Sequence, residues 1–394
     1  MKVTLGDICK FQSGGTPSKK NGTFYHGSIP WITTVALNGG FIDENDAIEW
    51  ITEKAINESA AKIVPNNSIM VGTRVGVGKV AINRVEMSTS QDIISLIEID
   101  NSLWNKPFLC KYLQSKEKYL NLQARGATIK GIKIETLAGL ELPEYDLKTQ
   151  QHISNSLDNV LSIIKLRKEQ LQKLDDLIKA RFVEMFGDTV ENPKGYRVDT
   201  LQTLIDAGDI TYHLDGNHGG DYPKSEEFVA DGIPYIGANC ISNGKIDFTL
   251  AKYLTEERAG QLRKGIAQND DVLFAHNATV GPTVVLHTEE PKVILSTSLT
   301  AYRCNKNSIM PEYLATYMKS DSFVMQYSSE MKQTTRNQVP ITAQKKYRFL
   351  VPPIDEQKTF SDFVHQVDKS KAVVQKALDE TLLLFDSLMQ EYFG

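Results

Sequence analysis

Residues 147–186 read LKTQQHISNSLDNVLSIIKLRKEQLQKLDDLIKARFVEMF, a stretch without glycine or proline. Pro143 precedes this stretch and Gly187 follows it, which is the usual order of these residues at the start and end of a helix. Apolar residues recur in it at heptad spacing, and the same spacing returns 207 residues later, up to a second Phe-Gly pair at Phe393. Two heptad helices that share one offset predict a coiled-coil pair.

Polar residues interrupt the heptad seam at a few places. They are Arg167, Arg181, Lys371 and Thr381. Such residues either fix the register of a coiled coil or lie at solvated ends. The alternative is two amphipathic helices packed on separate cores, but a helix of this length spans about 60 Å, which is more than one small domain requires.

The segments that precede the two helices repeat each other in order. IPWI at Ile29 returns as IPYI at Ile233, and NNSIMVGTRVGVGKVA at Asn66 aligns with NDDVLFAHNATVGPTV at Asn269. Short runs such as SIMVGT, KVAIN and IISLIEI predict strands, whereas LCKYLQSKEKYLNLQ and EYLATYMKSDSFVMQY predict short amphipathic helices. The predicted fold class is therefore α+β: two similar mixed α/β domains and a pair of long antiparallel coiled-coil helices, related by a pseudo-two-fold internal duplication.

The repeats also suggest where the chain divides. We expect a first domain over residues 1–143, a first long helix over 144–187, a second domain over 188–350 and a second long helix over 351–394.

Composition is that of an ordinary globular protein. Of the 394 residues, 41% are hydrophobic and 24% are charged, and no run of about 18 apolar residues is present. These features predict a cytoplasmic protein without a membrane partner. The net charge of −5 gives no general attraction to nucleic acid, so any such role must depend on local patches.

Catalytic signatures are missing from the sequence. GTRVGVGKV, from Gly72, resembles a P-loop but has Thr73 where the first glycine should be and Val80 in place of the hydroxyl residue, so a tight strand connection is the better interpretation. The four cysteines are far apart, and no histidine or cysteine set has the spacing of metal ligands. We predict no catalytic residue and no metal site.

Several loops instead combine basic, amide, hydroxyl and aromatic side chains, which are the types that contact phosphates and base edges. Equivalent loops of the two halves differ in these side chains, as expected of two readers of different base sequences. The residues that we expect to contact DNA are Ser13, Thr16, Lys19, Lys20, Trp31, Thr33, Arg74, Arg125, Lys130, Tyr212, His213, Asn217, Tyr235, Asn239, His276, Asn277, Lys332, Arg336 and Asn337.

The chain has two IPW-like strands and two Pro-led helices, which begin LPEYDLKTQQ at Leu142 and VPPIDEQKTF at Val351 and both end in Phe-Gly. In these features it resembles the specificity subunit of type I restriction-modification systems, HsdS. The resemblance implies a non-catalytic subunit with two target recognition domains. Each domain would read half of a bipartite, asymmetric double-stranded DNA target. The helices would set the spacing and bind two methyltransferase (HsdM) subunits, and two restriction (HsdR) subunits would join the complex. No cofactor is expected on this chain, whereas S-adenosylmethionine, ATP and Mg²⁺ are expected on the partner subunits.

Three other interpretations remain open from the sequence. The chain could be a specificity module of another restriction-modification architecture, a protein-binding adaptor, or a free-standing enzyme. The missing catalytic motifs disfavour the last of these.

Overall fold

The segment before the first long helix folds into short strands and helices, as its β-branched runs and turn residues predict. The computed structural model describes residues 2–126, 131–331 and 337–394. In chain order, this segment contains α1 (Leu5–Ile8), β1 (Lys10–Ser13), β2 (Tyr25–Ile32), β3 (Phe41–Ile42), β4 (Glu49–Ile51), α2 (Glu53–Glu58), β5 (Ile63–Val64), β6 (Ile69–Gly72), β7 (Val80–Asn83), β8 (Met87–Thr89), β9 (Ile93–Ile97), α3 (Lys106–Ser115), α4 (Glu117–Gln123) and α5 (Ile134–Ala138). Its strands form two sheets, in the orders β1-β9-β6-β7-β3 and β4-β2-β8-β5.

The long helix α6 follows, and a second segment of the same kind leads to the long helix α12. In chain order, the elements are α6 (Leu147–Phe186), β10 (Arg197–Thr200), α7 (Leu201–Asp206), β11 (Ile210–Asp215), β12 (Phe228–Val229), β13 (Ile233–Ile236), β14 (Ile241–Ser242), β15 (Lys245–Ile246), β16 (Lys252–Leu254), α8 (Glu256–Gln261), β17 (Ile266–Ala267), β18 (Val272–Ala275), β19 (Thr283–Val285), β20 (Val293–Leu295), β21 (Leu299–Cys304), α9 (Pro311–Tyr317), α10 (Asp321–Met331), α11 (Ile341–Gln344), β22 (Arg348–Val351) and α12 (Ile354–Phe393). The larger sheets have the orders β11-β21-β18-β19 and β12-β16-β13-β20-β17, and β10-β22 and β14-β15 form pairs.

Strand register shows that the two segments are copies of one fold. The predicted IPWI strand lies in β2, where Trp31 pairs with Ser88 of β8 in parallel. Its counterpart IPYI is β13, where Tyr235 pairs with Ile294 of β20, also in parallel. In both copies the next sheet is antiparallel at β6-β7 and at β18-β19. The predicted internal duplication and the predicted strands are confirmed.

The chain divides into two compact units, and each contains parts of both long helices. The first unit comprises residues 1–168 and 376–394, and the second comprises residues 169–375. In the first unit, Ile153 and Leu157 of α6 belong to the same apolar core as Phe393 of α12. The Phe393 ring lies 5.3 Å from the ring of Phe108 on α3, measured between centroids. The end of α12 is therefore part of the core of the first unit.

The second unit repeats this arrangement with the helices exchanged. Phe186, at the end of α6, is fully buried, and its ring centroid lies 4.9 Å from that of Tyr313 on α9. Phe182 and Phe360 belong to the same aromatic core. The recurring Phe-Gly pairs of the sequence thus mark the place where each long helix ends in a buried aromatic side chain.

Polar contacts between α6 and α12 occur inside each unit. In the first unit, the Arg167 guanidinium donates hydrogen bonds to the Ala377 carbonyl and the Thr381 hydroxyl. In the second unit, the Lys371 ammonium lies 2.7 Å from an Asp175 carboxylate oxygen. Since the early part of α6 meets the late part of α12 and the late part meets the early part, the two helices run antiparallel. The predicted coiled-coil pair is confirmed.

A buried glutamine begins the packing of each long helix on its domain. In the first unit, the Gln150 side chain accepts from the Asn105 amide at 2.9 Å and donates to the carbonyls of Leu103 and Tyr145. In the second unit, Gln357 accepts from the Met310 amide at 3.0 Å and likewise donates to two carbonyls. Both side chains satisfy backbone groups that would otherwise be buried without partners.

A polar side-chain contact also connects each domain to its helix, and its buried member is a lysine in the first unit and a glutamate in the second. The buried Lys111 of α3 lies 3.1 Å from Asp158 of α6. The buried Glu312 of α9 lies 2.8 Å from His365, which occupies the position of α12 equivalent to Asp158. In both units the domain contributes the buried group and the long helix contributes the half-exposed one.

None of the helices in the described part of the chain combines the length and the apolar character needed to cross a lipid bilayer.

Candidate nucleic-acid interface

Loops of the first unit meet at the segment between β8 and β9. The Gly15 amide donates to the Thr89 carbonyl at 2.9 Å, and the Gln91 amide donates to the Thr16 hydroxyl at 3.4 Å. The Thr73 amide donates to the Asp92 carbonyl at 2.8 Å. The loop after β1 and the turn after β6, which the sequence predicted separately, are therefore held side by side.

The glycine-rich GTRVGVGKV string forms the turn between β6 and β7. The Gly72 amide donates to the Lys79 carbonyl at 2.8 Å, and Gly76 and Gly78 adopt φ values of 67° and 83°, a conformation that favours glycine. This confirms the predicted tight strand connection. The turn leaves the side chains of Arg74 and Lys79 exposed.

A second basic segment lies against this turn. Arg125 and Gly131 exchange two backbone hydrogen bonds of 2.9 and 3.0 Å, and the Ile132 amide donates to the Thr73 carbonyl at 2.8 Å. The structure thus places the backbone segments that carry Arg74 and Arg125 side by side. Lys130 lies outside the described residues.

The exposed cations of this region leave their charge available. Within residues 2–126 and 131–331, Arg74, Lys79 and Arg125 make no ion pair with a carboxylate, whereas Lys19 lies 3.1 Å from Glu49. Unpaired guanidinium and ammonium groups are suited to phosphate contacts. Lys79 is not among the residues predicted from the sequence to contact DNA, because the string that contains it was compared only with a P-loop.

The other predicted residues of the first unit divide into exposed and buried. Ser13, Thr16 and Lys20 are exposed, and Thr33 is half-buried just after β2. Trp31 is buried at 4% exposure, and its indole nitrogen donates to the Gly15 carbonyl at 3.1 Å. Trp31 therefore holds the loop at Gly15 from the interior of the unit, and its ring is not available at the surface in this structure.

The second unit holds the equivalent loops with equivalent backbone bonds. The His276 amide donates to the Ser298 carbonyl at 3.0 Å, and the Val339 amide donates to the His276 carbonyl at 2.8 Å. These bonds repeat those of Thr73 and Ile132. Between them, Asn277 forms a backbone bridge with Gln338.

A close backbone approach explains one glycine in each unit. A Cβ at Gly14 would lie 2.2 Å from the Ser90 carbonyl oxygen, and one at Gly216 would lie 2.3 Å from the Ser296 carbonyl carbon. Any larger residue would therefore displace the loop from the backbone at Ser90 in the first unit and at Ser296 in the second.

Four predicted DNA contacts of the second unit are buried side chains. Asn217 is 3% exposed, and its amide group bonds to the backbone of Lys264 at 2.6 Å as donor and 3.3 Å as acceptor. Tyr235 lies in an apolar core, and burial raises the pKa of its hydroxyl. His213 and His276 are also buried, and desolvation lowers the pKa of each imidazole to about 4. In this structure these four side chains pack beneath the loops in the interior of the unit and are not exposed at its surface.

The remaining predicted residues have mixed environments. Tyr212 is half-buried, and its hydroxyl accepts from the Ile266 amide at 3.1 Å. Asn239 and Asn337 are exposed and Asn277 is half-exposed, so amide groups remain at this surface. Lys332 and Arg336 lie outside the described residues.

Sequence reasoning also missed Arg263 and Lys264, two exposed cations next to the loop that holds Asn217. Their Arg-Lys-Gly run was a usable signal, but it followed a helical segment rather than one of the aligned loops.

Comparison with known proteins gives one consistent family. A family model described as "Type I restriction modification DNA specificity domain" matches residues 1–176 and 207–382. The type I restriction enzyme MjaIX specificity subunit of Methanocaldococcus jannaschii is 27% identical over 268 residues, which are 64% of this chain and 57% of the relative. The MjaVIII specificity subunit of the same organism is 21% identical over 394 residues, which cover 95% of this chain and 89% of the relative. The chain thus matches little more than half of the length of the first relative.

A solved structure shares the fold. The crystal structure of the type I restriction-modification S subunit from M. genitalium matches with a TM-score of 0.59 and 18% sequence identity, over 100% of this chain and 96% of that one. This similarity supports the architecture described above.

Proposed function

Since the chain belongs to the family of type I restriction modification DNA specificity domains, we propose that it is the DNA-recognition subunit of a type I restriction-modification enzyme. Each of its two domains reads one half of a bipartite, asymmetric target. The chain itself carries out no chemistry. It works in the cytoplasm, where chromosomal DNA is accessible.

One observation carries this proposal: the two units hold equivalent loops with the same backbone bonds but present different side chains. The Ile132–Thr73 bond and the Val339–His276 bond are both 2.8 Å long. Next to them, the first unit exposes Arg74, and the second presents Asn277. Arginine and asparagine recognise different base edges in the major groove. A duplicated scaffold with different side chains is what reading of two dissimilar half-sites requires.

The spacing of the half-sites is assigned to the two long helices. Each helix has 40 residues. A helix of that size is about 60 Å long, which corresponds to about 18 base pairs of duplex at about 3.4 Å each. Half-sites about one turn of DNA apart are therefore accessible.

The partners that supply the chemistry bind along these helices. Several apolar side chains are exposed there, although a coiled coil needs only its seam to be apolar. They are Ile163, Leu166, Leu177, Val183, Val373, Leu382, Leu383 and Leu384. We assign them to two methyltransferase subunits that bring S-adenosylmethionine. Two restriction subunits that use ATP and Mg²⁺ complete the assembly.

The charge of the chain predicts how much of the DNA affinity comes from this subunit and how much from its partners. The net charge of −5 opposes the approach of this chain to DNA, and only local cations such as Arg74 and Arg125 offset it. We therefore expect weak, salt-sensitive binding by the chain alone and much tighter binding once methyltransferase subunits add phosphate contacts.

Mapping of methylated adenines by long-read sequencing, in cells that express the chain with its methyltransferase, tests the proposal. The expected result is one motif made of two specified parts and a fixed unspecified gap. A palindromic motif, or methylation without a motif, would refute it.

The same cells separate the alternatives. Co-purification of one polypeptide that combines nuclease and methylase would indicate another restriction-modification architecture. An adaptor would show no sequence preference on any DNA, with or without the methyltransferase.

A further inference from the structure

The core of the second unit contains a connected set of buried polar side chains below its candidate reading loops. Gln344 of α11 is at its centre and is fully buried. Its amide oxygen lies 2.5 Å from the Tyr302 hydroxyl and 3.1 Å from Nε2 of His213. Its amide nitrogen lies 3.3 Å from both the Thr300 hydroxyl and the Val339 carbonyl. The Thr300 hydroxyl in turn lies 2.8 Å from Nδ1 of His276.

The donors and acceptors of this set define one arrangement of protons. The Gln344 oxygen can only accept, so Tyr302 donates its hydroxyl proton and His213 donates from Nε2. The Gln344 nitrogen can only donate, and Thr300 accepts from it. In the His276 tautomer that is protonated at Nε2, Thr300 gives its own proton to Nδ1. Burial favours the neutral form of both imidazoles, since desolvation lowers the pKa of each.

This set forms hydrogen bonds to both segments of the backbone bridge between Asn277 and Gln338, next to which Asn337 lies. One strand is held at the Val339 carbonyl, which accepts directly from Gln344. The other is held at the His276 ring, which Gln344 reaches through Thr300. Beyond these points, the Ala278 amide donates to the Asn337 carbonyl at 3.0 Å. Ala278 has a φ of 65°, an uncommon conformation for alanine that its surroundings must maintain.

The first unit has apolar side chains at the positions of Gln344, Thr300 and Tyr302. Strand register and the repeat offset place Leu137 at the position of Gln344, Ile94 at that of Thr300 and Leu96 at that of Tyr302. All three are buried in the apolar core. Since one copy of the fold is complete with an apolar core here, the fold itself does not require the polar set. Buried polar groups that must all be satisfied give a more defined geometry than apolar packing does.

We propose that the His213, Gln344, Tyr302, Thr300 and His276 side chains are positioning residues that hold Asn277 and Asn337 in the orientation in which the second domain reads DNA. The inference rests on the proposed function. It adds that the second half-site is read by amide groups held in a rigid frame, whereas the first is read over an apolar core.

Two substitutions of nearly unchanged volume test the frame. Gln344→Met removes the central amide, and Thr300→Val removes the hydroxyl that joins Gln344 to His276. In the full chain, hydrogen–deuterium exchange of the Ala278 and Val339 amides is expected to rise about tenfold, as the loss of one or two hydrogen bonds predicts. Leu137→Met, at the equivalent position of the first unit, is the matched control and leaves these two amides unchanged.

Methylation mapping with the same variants distinguishes a positioning role from a general loss of stability, because only a positioning role changes the base preference of one half of the motif. Gln344→Met and Thr300→Val are expected to relax the base preference in one half of the motif and to leave the other half and the gap unchanged. His276→Asn in an otherwise wild-type chain should keep the selectivity of the second half, because the asparagine amide oxygen can occupy the place of Nδ1 and accept a hydrogen bond from the Thr300 hydroxyl. Asp215, His218 and Lys345 face the two histidines and remain in every variant.

Two outcomes would overturn the proposal separately from the function on which it rests. A bipartite motif in the wild type that stays fully selective in Gln344→Met would refute the positioning role alone. Unchanged exchange at Ala278 and Val339 would do the same. The absence of any bipartite motif in the wild type would refute the proposed function and this inference together.

Discussion

Replacement of Asp158 by asparagine is expected to destabilise the first unit more than removal of both charges of its ion pair. The buried Lys111 lies 3.1 Å from Asp158, and the exposed fractions of the two side chains are 6% and 49%. Asp158→Asn leaves an ammonium group in the core with no carboxylate. Lys111→Met together with Asp158→Asn leaves a side chain of similar volume and no charge.

The magnitudes follow from distance and burial. Two unit charges 3.1 Å apart attract by about 5 kcal/mol at an effective dielectric constant of about 20. The half-exposed position of Asp158 reduces this gain, so we expect Asp158→Asn to lower the free energy of unfolding by about 2 kcal/mol. The double substitution should lower it by less than about 1 kcal/mol, because the desolvation of Lys111 is no longer required.

Urea unfolding of the full chain at pH 7.5 measures these differences, and hydrogen exchange of α3 assigns them to the first unit. Glu58→Gln is the matched control, because Glu58 forms an exposed pair with Lys54 at 4.0 Å. Its effect should stay below about 0.5 kcal/mol. If Asp158→Asn proves no more destabilising than the double substitution, the buried ammonium is not held by this ion pair and the reasoning fails.

Four further predictions follow from other features. Acidification from pH 7.5 to 5 should destabilise the second unit by about 2 kcal/mol for each of His213 and His276, because their folded pKa of about 4 lies below the unfolded value near 6.5. This contribution to stability is complete above pH 6.5 and is lost as the pH falls towards 4. Segment-resolved hydrogen exchange measures it, and equal acid sensitivity of both units would contradict the prediction. Phe393→Ala should loosen the first unit and Phe186→Ala the second, each by about 3 kcal/mol, with exchange in the other unit as the internal control. Arg74→Ala should make one half of the methylated motif degenerate and leave the other half intact; equal loss at both halves would count against separate readers. Insertion of four residues into α6, about one helical turn, should lengthen the gap of the motif, and an unaltered gap would contradict the spacing role of the helices.

The sequence predicted the architecture well because the strongest signals were long or repeated. The bounds of α6 agree with the structure to the residue, since an uninterrupted heptad pattern between Pro143 and Gly187 leaves little freedom at either end. Repeats in fixed order indicated two copies of one fold, and strand register at Trp31 and Tyr235 confirms it.

The candidate site was harder to predict because the residue type in a loop does not show which way its side chain points. Asn217 and His276 are polar residues in polar segments, yet both turn inward and bond to backbone or side-chain groups. Gln344, which connects two loops, lies in a four-residue helix whose sequence carries no signal of burial. Burial of a polar side chain depends on partners distant in the chain, and these became visible only with strand register.

The burial of Phe393 in the first unit has a consequence for the order of synthesis. A domain near the beginning of a nascent chain usually completes its fold first. Here the second unit is a continuous stretch of chain inserted into the first. The core of the first unit therefore stays incomplete beside Phe108 until residues 376–394 have left the ribosome. The unit whose residues are translated first is thus the one whose core is completed last.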